Sequence, residues 1–286
     1  MIVDKKAEKN NRLSLFFHQT FIPERQYIAS LLQFVATGQT GTDQDISKHT
    51  GIPVGKSSGK VPAIINYCSG MGLVDVQKKS GSGEKTFEFT PFGRAVLLED
   101  SNLSEELTQW LVHLHLCRKN GGAEIWYLSF NKGYNVLGMG FTENELTKFL
   151  ERNCGKRNKS PVGPLIRTYE EPAALQIAHV LVHQDGDMLS RSAAPLLAGF
   201  RNGYSAFFLY LWEEYFPDER QVTITDFEAS VHWQEMCGWN QHQNETVFDM
   251  LQDAGAITID KQMRPWVLTR RADAKNFWSS LYDELA

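Results

Sequence analysis

Four cysteines in 286 residues, Cys68, Cys117, Cys154 and Cys237, lie far apart and form no C-x-x-C pair. That spacing argues against a structural zinc site and for buried or incidental thiols rather than disulfides. Long hydrophobic runs are missing too, and none approaches the roughly 20 residues that a spanning helix needs. The first residues, Met1-Ile2-Val3-Asp4-Lys5-Lys6, lack the apolar core of a secretion signal, so a cytoplasmic protein without membrane attachment is expected. An excess of positive charge is also absent. A net charge of -5 argues against indiscriminate coating of nucleic acid.

What remains is the composition of a globular chain, 42% hydrophobic and 22% charged, long enough for two or three packed domains. Its charge is uneven. Residues 1–100 carry 12 Lys+Arg against 10 Asp+Glu, and the remainder 17 against 24, so any contact with DNA is expected in the first third. There, Thr50-Gly51-Ile52-Pro53-Val54-Gly55-Lys56-Ser57-Ser58-Gly59-Lys60-Val61 crowds glycines, hydroxyls and ammonium groups into twelve residues. Such a loop suits phosphate.

The order of elements decides whose phosphate. Residues 1–12 read as a loose polar arm. Pro23-Glu24-Arg25 opens a helix carrying Ile28, Leu31, Leu32 and Val35 at helical spacing, and Gly38 ends it. Thr42, Asp43 and Asp45 start a second, short helix. The glycine-rich loop opens a third, burying Val61, Ile64, Ile65, Cys68 and Met71. Two strand-like segments then flank Ser80-Gly81-Ser82-Gly83, and Thr90-Pro91 begins a further helix. This is the order of a winged helix-turn-helix over residues 1–100. Residues 101–200 read as a helical middle domain, with an exposed basic loop or linker at 152–168. Residues 201–286 repeat the winged-helix plan without repeating the sequence. The fold class expected is mainly α (α+β).

Gly51 to Ser57 invites a comparison with the Walker A loop. That motif needs four residues between its glycines and follows a buried strand; here there are three, after a polar helix. The helix-turn-helix reading instead puts Lys56, Ser57, Ser58 and Lys60 against DNA phosphates and Asn66 near base edges. Lys78, Lys79 and Lys85 would form a wing on the backbone, a solvated hairpin being the plain alternative. The corresponding C-terminal helix carries Glu245, Asp249 and Asp253, which repel phosphate, so that unit reads as a packing, homodimer or partner-binding module. His113 and His115, two apart, point to different faces of a helix, whereas His179 and His183 stand at i, i+4 and could share one metal from one helix. His18, Glu24 and Arg25 form a polar cluster at the entry to the first helix. A nuclease there would need a base or metal carboxylate, a cation, and a divalent metal such as Mg2+ or Mn2+. The structural alternative is that His18 and Arg25 stitch the arm to the domain.

Phe17-His18-Gln19-Thr20-Phe21 with Arg25, the Gly51–Val61 loop, Gly70-Met71-Gly72-Leu73, Trp110 to Leu116 and Trp126 to Asn131 together resemble one family. It is the family of domains of unknown function numbered four thousand and seven, which accompanies bacterial DNA phosphorothioation genes. Within it, the chain looks most like the nicking component of the single-strand system. That resemblance implies a DNA-nicking protein working with a cysteine desulfurase, an ATP pyrophosphatase and an ATPase to exchange a phosphate oxygen for sulfur. Gln19 stands where the family usually has an acid, and Arg25 is displaced by one residue, so no catalytic or metal-ligand assignment carries over. Two rivals stay open: a non-catalytic DNA-binding adaptor or regulator that recruits the modification enzymes, and a protein scaffold with no DNA contact.

Overall fold

A computed structural model of the chain describes residues 11–55, 59–155, 161–184 and 186–285. The described residues are mainly helical, with three small antiparallel sheets among them. They begin with helices α1 (Arg25–Ala36), α2 (Asp43–Thr50) and α3 (Lys60–Gly70), then strands β1 (Val74–Lys78) and β2 (Lys85–Phe89), then α4 (Pro91–Glu99). α5 (Glu106–Leu116) leads into α6 (Glu124–Trp126), a π-helical turn at Tyr127–Lys132, and α7 (Tyr134–Leu137). Next come β3 (Gly140–Thr142), α8 (Glu143–Cys154), α9 (Val162–Glu170), β4 (Leu181–His183) and β5 (Met188–Arg191). The last part holds α10 (Arg201–Tyr215), β6 (Gln221–Thr223), α11 (Ile224–Val231), α12 (Trp233–Cys237), α13 (Gln241–Asp253), β7 (Ile257–Asp260), β8 (Val267–Arg270) and α14 (Ala274–Trp278).

One local device recurs three times. A threonine at the end of an extended segment caps the next helix, and an acid three residues on closes the cap. Thr42 and Asp45 do this for α2 and Thr142 and Glu145 for α8 with a reciprocal capping box, and at α11 the Thr223 hydroxyl accepts from the Asp226 N–H and donates to its carboxylate. Each time the extended segment also pairs with the second strand of the hairpin that follows. β3 lies beside β5, and β6 beside β8. In the first part a single residue does the same, Gly41 exchanging both backbone hydrogen bonds with Lys85 at 3.2 and 2.9 Å.

The middle third is therefore not purely helical, because it carries the sheet β3-β5-β4. Its strands are three or four residues long, too short to show a two-residue period. The expected single helix with His179 and His183 is absent as well: His179 sits at φ 48° just after a 3-10 turn, and His183 ends β4. Nor is 152–168 one loop, since Arg152 belongs to α8 and Arg167 to α9; Lys156, Arg157 and Lys159 lie outside the described residues. Arg12, assigned to the arm, is docked rather than loose. Its guanidinium meets Glu124 at 2.6 Å and lies over the Tyr127 ring.

The core runs without a break from Phe17 to Leu281. α5 sits in it with Leu107 to Leu116 all buried, as expected of a helix with no polar face. His113 bonds the Tyr169 hydroxyl at 2.6 Å, and His115 stacks on Phe92 with ring centres 5.1 Å apart. α10 packs on α14, α13 and α11 through an aromatic set in which Tyr204, Phe207, Phe208, Trp233 and Trp239 are all buried. Among the described residues no helix is long and apolar enough to cross a membrane.

Candidate nucleic-acid interface

The glycine-rich loop is built to turn sharply and to leave a helix end open. Gly51 ends α2 in the left-handed region at φ 72°, where a side chain would be strained. Ile52 is fully buried and plugs the turn into the core, and the Lys60 N–H donates to the Pro53 carbonyl at 3.1 Å. Gly59 precedes α3 because a Cβ there would fall 2.7 Å from the Gly55 nitrogen. Among the described residues no side chain caps α3, so the N–H groups that follow Lys60 keep the partial positive charge of a helix start.

Lys56, Ser57 and Ser58 lie outside the described residues. Lys60 is described, and its ammonium reaches Glu24 at 2.5 Å over the rings of Tyr27 and Phe21. The loop lysine and the candidate catalytic carboxylate are thus one half-buried ion pair. Asn66 lies half-buried on α3. On the hairpin, Lys85 pairs with Asp43, and Lys79 stands 3.7 Å from Glu84 in an exposed pair. Lys78 is exposed, with no ion pair among the described residues.

The entry cluster separates. Arg25 turns toward the middle of the chain, donating to the carbonyl of Pro172 at 2.8 Å and to those of Asn102 and Leu103. His18 is 1% exposed, and neither ring nitrogen has a hydrogen-bond partner among the described residues. Among the described residues no hydrogen bond or ion pair joins His18, Glu24 and Arg25 to each other. Phe17 beside His18 packs 4.8 Å from Tyr67 and 5.8 Å from Trp126, fastening this segment to the middle helices.

Burial lowers the His18 pKa from 6.5 to about 4. Burial also holds His113 and His115 well below the usual range. In the unfolded chain all three rings take a proton near pH 6.5, whereas in the folded chain they stay neutral. The unfolded state therefore binds more protons below 6.5, and stability falls as pH falls. Glu228, its carboxyl raised to about 7 by burial, and Glu214, also raised by burial, oppose this, but three histidines outweigh two acids. The urea midpoint should drop on going from pH 7 to pH 5, with His18 alone contributing about 3 kcal/mol by the time pH 4 is passed. A midpoint that is flat or higher at pH 5 would contradict the neutral buried rings.

Sequence reasoning missed two features. The Glu24–Lys60 pair joins residues 36 apart, and no local pattern announces it. A cavity in the C-terminal part, lined by Glu228, Asn244 and Trp266, had only scattered polar residues as a signal. Metal chemistry has little to stand on here. Among the described residues no three His, Cys, Asp or Glu side chains come together to hold an ion, and Glu24 already has its cation.

A family model described as "Protein of unknown function (DUF4007)" matches residues 16–164. Two crystal structures have the same fold. Magnesium ion-bound SspB superposes with a TM-score of 0.72 at 16% identity, covering 96% of this chain and 90% of that one. A second SspB structure gives 0.67 at 14% identity with the same coverage. No curated protein matches the sequence.

Proposed function

Because the chain belongs to the DUF4007 family, we propose that it is the DNA-binding component of a bacterial phosphorothioation system. Residues 1–100 then act as a winged helix-turn-helix, followed by units over 101–200 and 201–286. One observation carries the reading: α2, the tight turn at Gly51 and the side-chain-uncapped start of α3 are followed by a hairpin bearing Lys78 and Lys79. The likeness to SspB over nearly the whole chain supports the system to which it is assigned. In this arrangement the start of α3 enters the major groove and the hairpin rests on the neighbouring backbone. Lys60 braces the helix through Glu24, and the exposed lysines meet phosphates.

Salt-titrated binding to a short duplex tests this. The full chain should show a steep loss of affinity with salt, and Lys78→Ala with Lys79→Ala should reduce the slope by about 2, near 0.9 for each phosphate left without its lysine. An unchanged slope would remove the hairpin from the interface.

Strand nicking is the second reading, favoured by the magnesium ion bound to the structurally similar SspB. It calls for supercoiled plasmid to relax with Mg2+ or Mn2+ and for the activity to be lost in Glu24→Ala. Binding without relaxation leaves the adaptor role.

A further inference from the structure

The C-terminal part holds a cavity of about 690 Å³ that DNA binding does not use. It lies between α11, α12, the first turns of α13 and the β7–β8 loop, with Ile224, Ala229, Pro265 and Trp266 as apolar walls. Its polar lining is rich in acceptors. The Glu228 carboxylate accepts from the Asn244 amide at 2.9 Å and from the Gln234 backbone N–H at 3.1 Å. The same Asn244 nitrogen is 3.3 Å from the Gln234 side-chain oxygen, which fixes the amide so that its own oxygen is the atom left over. Asn244 is 4% exposed, and that Oδ1 has no hydrogen-bond partner among the described residues. A buried acceptor in this state calls for a donor.

Charge defines the donor further. Three carboxylates line the cavity. Glu235 has His232 at 3.9 Å and Glu245 has Arg264 at 3.3 Å, but Glu228 has no cation among the described residues. Burial has raised its carboxyl to about 7, so the site is poised to gain from any cation that enters. An anion would meet three acids. A metal ion would need donors that converge, and among the described residues they do not. An ammonium is compact and strongly hydrated, whereas a guanidinium is flat, weakly hydrated and carries several N–H donors in a fork.

We infer that this cavity binds a guanidinium group, the side chain of an arginine presented by a partner protein. Two N–H groups pair with the Glu228 carboxylate, a third satisfies Asn244 Oδ1, and the walls around Trp266 and Ile224 take the aliphatic stem. A protein partner fits the acidic balance of residues 101–286, 17 Lys+Arg against 24 Asp+Glu. The inference is independent of DNA binding and is tested without DNA.

Calorimetric titration of the full chain with Nα-acetylarginine N-methylamide reads it directly. Around Glu228 stand His232 at the end of α11, Glu235 and Cys237 on α12, Glu245 on α13 and Arg264 on the hairpin loop. Binding selects the ionised form of Glu228, so a proton is released below pH 7, and affinity should rise about tenfold between pH 6 and pH 8. The capped citrulline, a neutral isostere, should bind at least about tenfold more weakly. Glu228→Gln should lose the arginine preference and the pH dependence together. Equal affinity for arginine and citrulline, or no proton release in the wild-type chain, would overturn the site whether or not the variant folds. Agmatine separates the two sources of a guanidinium. Agmatine bound tenfold or more tightly than the capped arginine would make the occupant a free guanidino compound and overturn the protein partner.

Discussion

Gly93→Ala is expected to cost about 3 kcal/mol or more of stability, against a typical overpacking penalty of about 1–3. Gly93 lies in the first turn of α4, where Thr90 accepts its N–H at 2.8 Å and donates to the Gly72 carbonyl at 2.6 Å. The cap thus clamps the helix start onto Gly72-Leu73. A Cβ on Gly93 would fall 1.8 Å from the Leu73 carbonyl oxygen and 2.7 Å from its carbon. Both are backbone atoms and cannot swing aside. On the far side of that segment, Gly72 has φ 70° and abuts the His115 ring, so the strand start has no room to retreat. Alanine's better helix propensity returns about 1 kcal/mol at most. Gly163→Ala in α9 is the control, because a Cβ there meets nothing within 4 Å among the described residues, and it should be neutral or slightly stabilising. Urea unfolding of the two variants settles the matter, and a Gly93→Ala loss below about 1 kcal/mol would contradict the packing described.

Arg191→Met should be comparably severe, at about 3–5 kcal/mol. Arg191 is 3% exposed, and its charge faces carbonyls rather than a carboxylate. It donates to Phe130 at 2.8 Å, in the π-helical turn, and to Glu235 and Met236 at 2.7 and 2.8 Å, in α12. α12 is only five residues long, so its end carbonyls are short of helical partners beyond the Gly238 cap, and the guanidinium supplies them from the end of β5. Methionine keeps much of the volume but removes all three donations, and only the Glu235 carbonyl is seen to keep another donor, the Gly238 N–H at 3.1 Å. Lysine keeps the charge on one nitrogen and cannot span the set, so Arg191→Lys should recover little. A loss of less than about 1 kcal/mol in the methionine variant would show that water or a neighbour replaces the guanidinium.

The parts of the fold that could be read from the sequence are those with local signals. The apolar spacing of α1 and α3, the Thr42 cap and the hairpin around Ser80–Gly83 each rest on residues close in sequence, and Val61, Ile64, Ile65, Cys68 and Met71 are all buried. The middle sheet was hidden because its strands are too short for a period. Only Phe141-Thr142 with Glu145, echoing Gly41-Thr42 with Asp45 and Val222-Thr223 with Asp226, hints at it. The candidate site was harder, because its charges are decided by distant partners. Lys60 finds Glu24, Lys85 finds Asp43 and Arg25 finds three carbonyls, none visible from composition. The family segments around Trp110 and Trp126 build the core through His113, Tyr169 and Asn131.

Backbone hydrogen exchange with and without a short duplex tests the central claim most directly. If residues 1–100 meet DNA as a winged helix, amides at the start of α3 and across the Lys78–Lys85 hairpin tip should gain protection on binding, while the corresponding Lys261–Arg264 tip beside the acidic α13 should not change. Protection confined to the C-terminal hairpin, or no change at α3 under saturating duplex, would contradict it.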